Sequence, residues 1–157
     1  IRAHYGATGG ALRFGFPTTD ELVSATVGRE SRFEMATYYW SRASGAHLVT
    51  GSIRAKYVAV GATRGRLGFP LTDQLAVTRG AVSRFQGGDI YSSAATGAHV
   101  VPRGGIRNRW LALGAQRGRL GFPRTDRLVT GSGFLVRFEG GTIQWLRATG
   151  ATTVIYR

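Results

Sequence analysis

Short blocks of alternating apolar and polar residues run through this chain, and each kind of block comes three times. Phe134, Val136 and Phe138 alternate with Leu135, Arg137 and Glu139, the two-residue period of a half-buried strand. The counterparts are Ser83 and Phe85 with Arg84 and Gln86, and Ser31 and Phe33 with Arg32 and Glu34. Gly87-Gly88 and Gly140-Gly141 then predict a tight hairpin turn into Ile90-Tyr91-Ser92 and Ile143-Gln144-Trp145. Met35-Ala36 replaces the glycines in the first block, so a different turn is expected there. A second turn at Ser44-Gly45, Thr96-Gly97 or Thr149-Gly150 returns the chain along Ala98-His99-Val100-Val101 and its counterparts. Ahead of each strand block, Ile53, Tyr57 and Val60, or Ile106, Trp110 and Leu113, fall at helical spacing and stop at Gly61 or Gly114. The first such stretch is a residue shorter and Gly-rich after Tyr5, which predicts a frayed or missing helix. The fold class that follows is mainly β: three small antiparallel β meanders, each behind a short helical turn.

The blocks are arranged around Arg66-Leu67-Gly68-Phe69-Pro70-Leu71-Thr72-Asp73. It recurs as Arg119-Leu120-Gly121-Phe122-Pro123-Arg124-Thr125-Asp126 and, altered, as Arg13-Phe14-Gly15-Phe16-Pro17-Thr18-Thr19-Asp20. A period of about fifty residues marks an array of small structural units. Taking Ile1, Ile53 and Ile106 as equivalent starts gives repeats 1–51, 52–104 and 105–157, joined without a linker. Within the motif, proline fixes its own φ and pushes the preceding Phe into extended backbone, while Gly permits angles a side chain forbids. The Thr-Asp that follows offers short acceptors for backbone amides. The motif therefore reads first as a stiff corner that pins a small core. Units this short sit near the limit for an independent core, so neighbours should share buried surface in an elongated array.

Three copies of Leu-Gly-Phe-Pro-x-Thr-Asp in register, each followed by an aromatic and, in the later two repeats, by Gly-Gly and Thr-Gly-Ala, resemble LGFP tandem repeats over the whole chain. The resemblance implies a stalk of β-rich repeats from an actinobacterial envelope protein, of the kind appended to mycoloyltransferases or peptidoglycan hydrolases. It also implies a secreted, non-catalytic module that docks on the peptidoglycan–arabinogalactan polymer. Phe14 in place of Leu and Met35-Ala36 in place of Gly-Gly set the first repeat apart.

Charge adds a partner class. Twenty-one basic residues, of which only Lys56 is lysine, stand against eight acids, for a formal charge of +13. An anionic partner follows: an acidic envelope polymer, nucleic acid or an anionic surface. A GC-rich genome would produce the same arginine excess. A basic nucleic-acid-binding protein is the alternative reading, with no helix-turn-helix, zinc or RNA-binding signature to carry it, and a structural spacer of a larger envelope enzyme is the third. No stretch is long and apolar enough to span a membrane. Cysteine is absent, which excludes disulfides and thiolate metal sites. The start at Ile1 reads as a mature chain or a piece of a longer one that carries a catalytic domain elsewhere.

The motif arginines and aspartates among the candidate ligand-binding residues repeat once per unit. Arg13, Arg66 and Arg119 present planar forks suited to carboxylates and phosphates, unless each pairs with its own motif aspartate, Asp20, Asp73 or Asp126. Strand parity places Tyr91 beside His99 and Tyr39 beside His47, a ring with a polar edge that offers a sugar platform or a sheet-stabilising pair; Gln144 and Thr152 take these places in the third repeat. Trp40 and Trp145 share parity with core-facing Tyr38 and Ile143, which favours burial or a groove. His4, His47 and His99 lack metal-binding spacing, the acids form no evident acid–base pair, and no loop cradles phosphate, so no enzyme activity, metal or cofactor is expected.

Overall fold

A computed structural model describes residues 1–157. The alternating blocks become three four-stranded antiparallel sheets, each a plain meander. The first runs β1 (Leu22–Ser24), β2 (Gly28–Arg32), β3 (Ala36–Ser41) and β4 (Gly45–Thr50). The second is β5 (Leu75–Val77), β6 (Gly80–Phe85), β7 (Gly88–Ser93) and β8 (Gly97–Pro102). The third is β9 (Leu128–Thr130), β10 (Gly133–Phe138), β11 (Gly141–Leu146) and β12 (Thr152–Tyr156). Each leading strand has only three residues, too few to show a period. Helices α1 (Arg2–Ala7), α2 (Gly10–Phe14), α3 (Gly51–Ala59) and α4 (Gly105–Ala112) precede the motifs, and a 3-10 turn follows each of α3 and α4.

The chain forms two compact units, Ile1–Leu75 with Ser83–Gly87, and Ala76–Val82 with Gly88–Arg157. The first has a core of Phe14, Phe33, Ala36, Tyr38 and Leu48, closed by Ile1 and Tyr5. The second is built on Trp110, Phe122, Val136, Phe138 and Ile143, with Tyr91 and Val101. The first core thus joins α1 and the first motif to the sheet that follows them, and the second joins α4 and the third motif to the third sheet and to β7 and β8.

The first helix is formed, not frayed, and a second one follows it. Tyr5 explains this: its ring stacks on Phe33 at 4.2 Å between centroids and its hydroxyl donates to the Gly15 carbonyl at 2.8 Å. The first hairpin also departs from expectation, having the same two-residue loop as the others. Phe33 N–H donates to Ala36 O, and Met35 N–H to Phe14 O, as Gly87 N–H does to Leu67 O. Gly87 and Gly140 have no positive φ, whereas Gly88 and Gly141 sit at +156° and +154°, a conformation that Ala36 does not adopt in the first repeat. A Cβ on Gly87 would strike the Arg66 carbonyl; the first repeat avoids that clash by leading into its motif through α2 in place of the 3-10 turn.

Two buried phenols set an alkaline limit on stability. Tyr57 on α3 meets Tyr39 edge-on at 5.2 Å, and both are essentially inaccessible. Burial, reinforced by the Glu30 carboxylate, pushes Tyr39 up to about 12, and burial raises Tyr57 as well. A raised folded-state pKa contributes stability that is whole below the unfolded phenol's value of 10.0 and lost as pH rises toward 12. In an alkaline titration, these two phenols are expected to ionise together with loss of near-UV ellipticity; their gradual ionisation in a folded chain would contradict their packing.

Candidate functional site

The Gly, Pro and Thr of the recurring motif, and the amide of its Phe, perform the same tasks in all three repeats. Gly15, Gly68 and Gly121 sit at φ +76°, +63° and +68°, the left-handed region that favours glycine. Their carbonyls accept the polar tip of the preceding helix's aromatic: Tyr5 Oη at 2.8 Å, Tyr57 Oη at 2.6 Å and Trp110 Nε1 at 3.1 Å. The next amide, that of Phe16, Phe69 or Phe122, donates to Glu34, Gln86 or Glu139 at 3.0, 2.9 and 2.8 Å. Proline bridges to Phe33, Phe85 or Phe138 of the long strand. Thr19, Thr72 and Thr125 Oγ1 accept the N–H of Arg32, Arg84 and Arg137. Burial works to raise the Glu139 carboxyl, but the Phe122 amide and the Arg79 guanidinium outweigh it and hold the group below the ordinary carboxylate range.

Phe and Asp reach further, onto the sheet that precedes the motif in sequence. The Phe69 ring occupies the space that a Cβ on Gly28 would take, and the Phe122 ring occupies that of Gly80. Asp73 Oδ1 accepts the Leu48 amide of β4 at 3.0 Å; Asp126 Oδ1 accepts the Val100 amide of β8 at 2.9 Å. Each aspartate therefore caps an edge strand. The first motif keeps the internal bonds but not this second set: Phe16 is 69% exposed and Asp20 is exposed.

Around Asp73 a small cluster forms that sequence spacing did not reveal. His4 Nε2 lies 2.8 and 2.9 Å from its two oxygens, and His47 Nδ1 lies 3.4 Å from Oδ1. His47 Nε2–H donates to the Ser44 carbonyl at 2.7 Å, which fixes the ring with Nδ1 toward the carboxylate. His99 is held likewise by Thr96 O at 2.8 Å, with Nδ1 3.5 Å from Asp126 Oδ1. His4 belongs to a basic position just before the helix aromatic, with Lys56 and Arg109 as equivalents, and that recurrence was the available signal.

Asp73→Ala removes the Leu48 acceptor from a buried edge and is expected to cost about 1–3 kcal/mol. The exposed Asp20→Ala should stay within about 0.5 kcal/mol. Urea midpoints at constant m-value compare the two.

The structure redistributes the sequence-selected residues. Tyr39 pairs with His47 and Tyr91 with His99 across the strands, as parity predicts. Neither Tyr is a sugar platform: they are 2% and 3% exposed, because the next helix and motif cover that face. Tyr91 meets Trp110 at 4.6 Å and Phe122 at 6.5 Å. In the third sheet Gln144 faces Thr153, not Thr152, since Arg147–Gly150 makes a turn one residue longer and slips β12 by one. Arg66 does not pair with Asp73, which is held by the histidines, and it is exposed. Arg13 is exposed with its guanidinium over the Phe14 ring, and Arg119 is exposed over Tyr156 at 4.3 Å. Trp40 is 37% exposed; Trp145 is half-buried and stacks on Phe134 at 5.4 Å. No helix is long and apolar enough to cross a membrane.

With this geometry repeated three times, comparison with known families is decisive. A family model described as LGFP repeat matches residues 14–65, 67–118 and 120–156. The chain belongs to the LGFP repeat family. The matched segments begin at the motifs, so the family's unit runs from one corner to the next through the intervening sheet and helix. LGFP repeats form a repeat family, and a module of this kind is consistent with a non-catalytic role. No curated protein matches the chain.

Proposed function

We propose that the chain is an envelope-docking module that binds the peptidoglycan–arabinogalactan polymer outside the cell, without catalysis. The observation that carries this reading is the state of the motif arginines. Asp73 and Asp126 are used to cap edge strands, and Arg13, Arg66 and Arg119 are exposed, one per repeat, and paired with no Asp or Glu side chain; Arg13 and Arg119 only reach the Thr8 and Arg157 carbonyl oxygens at 3.4 and 3.5 Å. A polymer with anionic groups along its length can meet one such arginine in each repeat through several weak contacts, and linkage of weak contacts gives useful avidity. Asp20 and Trp40, both exposed, add a hydrogen-bonding group and an aromatic surface in the first repeat. The buried tyrosines and the strand-capping aspartates belong to the scaffold of this reading and not to its contact surface.

Co-sedimentation with insoluble arabinogalactan-bearing cell wall tests it, before and after mild acid removal of the arabinogalactan, at low and near-physiological salt. Expected is saturable binding that survives physiological salt, falls on acid treatment and is reduced in the Arg13→Gln/Arg66→Gln/Arg119→Gln variant. Binding lost to salt alone, or matched by duplex DNA with a steep salt slope, would place the arginines in bulk charge attraction and sink the wall-docking reading.

A further inference from the structure

A cavity of about 240 Å³ opens in the second compact unit beside the start of α4. Its apolar walls are Ile106, Phe134, Val136 and Trp145, the Pro102–Gly105 turn passes along it, and Arg103 and Arg127 are its charged lining residues. The aromatic wall is rigid. Phe134 and Trp145 stack with planes 19° apart, the Arg127 guanidinium lies 4.1 Å from the Phe134 centroid, and Gly105 packs against Trp145 Cδ1, where a Cβ would come within 2.9 Å.

The charges are one-sided. The carboxylates of this unit are engaged elsewhere: Asp89 with Arg107 at 2.8 Å, Asp126 with the Val100 amide, and Glu139 with Arg79 at 2.6 Å. Two guanidiniums therefore border an apolar cavity with no acid to neutralise them.

The other repeats show that this is a local construction. The equivalent groove of the first repeat keeps Ile1 and Trp40, but Glu21 stands where Arg127 does and lies 3.7 Å from Arg29, which replaces Phe134. Its charge is balanced and its aromatic wall is single. In the second repeat Gln74, Ala81 and Ser92 occupy the positions of Arg127, Phe134 and Trp145, with no aromatic at all.

We infer that this cavity is a binding site for a small amphipathic carboxylate, whose apolar body enters between Ile106, Phe134 and Trp145 while its head group meets Arg103 and Arg127. Size supports the class: an apolar cavity of roughly 150 Å³ accommodates benzene, so this one takes a medium alkyl chain or a ring with a short tail. A bare sugar ring fits less well, because the Trp145 face is already covered by Phe134. Guanidinium pairs select the planar carboxylate over a neutral or cationic head. The site is independent of the wall-docking arginines, so its test leaves that reading untouched.

Octanoate, octanol and octylammonium share a tail and differ in head group, and binding is read by tryptophan fluorescence and calorimetry. Octanoate is expected to bind one per chain, about tenfold or more tighter than octylammonium. The Arg103→Gln/Arg127→Gln variant should weaken octanoate by a similar factor and leave octanol within about twofold, with an unchanged thermal midpoint; glutamine is the second repeat's own residue at the Arg127 position. The fluorescence response should vanish in Trp145→Phe and persist in Trp40→Phe. No octanoate binding, equal affinity for all three head groups, or a response that follows Trp40 would each overturn the assignment.

Discussion

Phe122→Ala is expected to destabilise the second compact unit by about 3–5 kcal/mol, the usual cost of truncating a fully buried aromatic. The ring is inaccessible, sits on Gly80, touches Tyr91 and lies under the Arg79 guanidinium at 5.5 Å. Truncation opens a hole that this sheet cannot close, because glycine at position 80 supplies no side chain to fill it. The same substitution at Phe16, which is 69% exposed in the equivalent motif position, should fall within about 0.5 kcal/mol. Hydrogen exchange under increasing urea, read on β3 amides for the first unit and on β7 and α4 amides for the second, separates the two units' stabilities, which a single global midpoint would blur. Similar losses at the two sites would mean that the motif phenylalanine acts through its own repeat, and that its seat on the preceding sheet contributes little.

The contrast between Phe16 and Phe122 also marks what the sequence could disclose. Everything governed within a few residues was legible: the Gly-Phe-Pro corner, because glycine and proline restrict or free the backbone locally, and the hairpins, because side chains alternate with period two. Tyr91 beside His99 came from counting outward from one turn, and it is correct for that reason. Parity says which residues share a face and not what covers the face. Tyr39 and Tyr91 were therefore assignable to a surface that α3, α4 and the next motif in fact bury. Similarly, the Asp73 partners His4 and Leu48 lie 69 and 25 residues away in sequence, beyond any local rule. The slip of β12 has a different origin: one more residue in a turn shifts every side chain of the strand to the other face, and the Thr-Gly pair that signals the turn does not signal its length.

The motif's economy is that one side chain of the hairpin, Glu34, Gln86 or Glu139, both fills the space beside the left-handed glycine and caps the next amide. Gly121→Ala tests this coupling. An L-residue at φ +68° costs roughly 1–2 kcal/mol in backbone strain alone. Its Cβ would also occupy the position of the Glu139 carboxylate, forcing that group off the Phe122 amide it accepts at 2.8 Å. Losing a hydrogen bond to a charged acceptor adds about 1.5–3 kcal/mol, for a total of about 2.5–5 kcal/mol. In a Glu139→Ala background the displacement has already happened, so Gly121→Ala should cost the strain alone, and the double-mutant cycle should return the hydrogen-bond part, a coupling of about 1.5–3 kcal/mol. Acid pH gives a second view of the same contact. Because the Glu139 carboxyl is held below its ordinary value, it contributes stability above the unfolded carboxylate pKa, and that contribution is lost as pH falls through its folded value. Gly121→Ala should remove this part of the acid dependence as Glu139→Gln does. Additive single-mutant losses together with an unchanged acid limb would show that the glycine is required for its φ alone, and that the carboxylate cap is incidental to the corner.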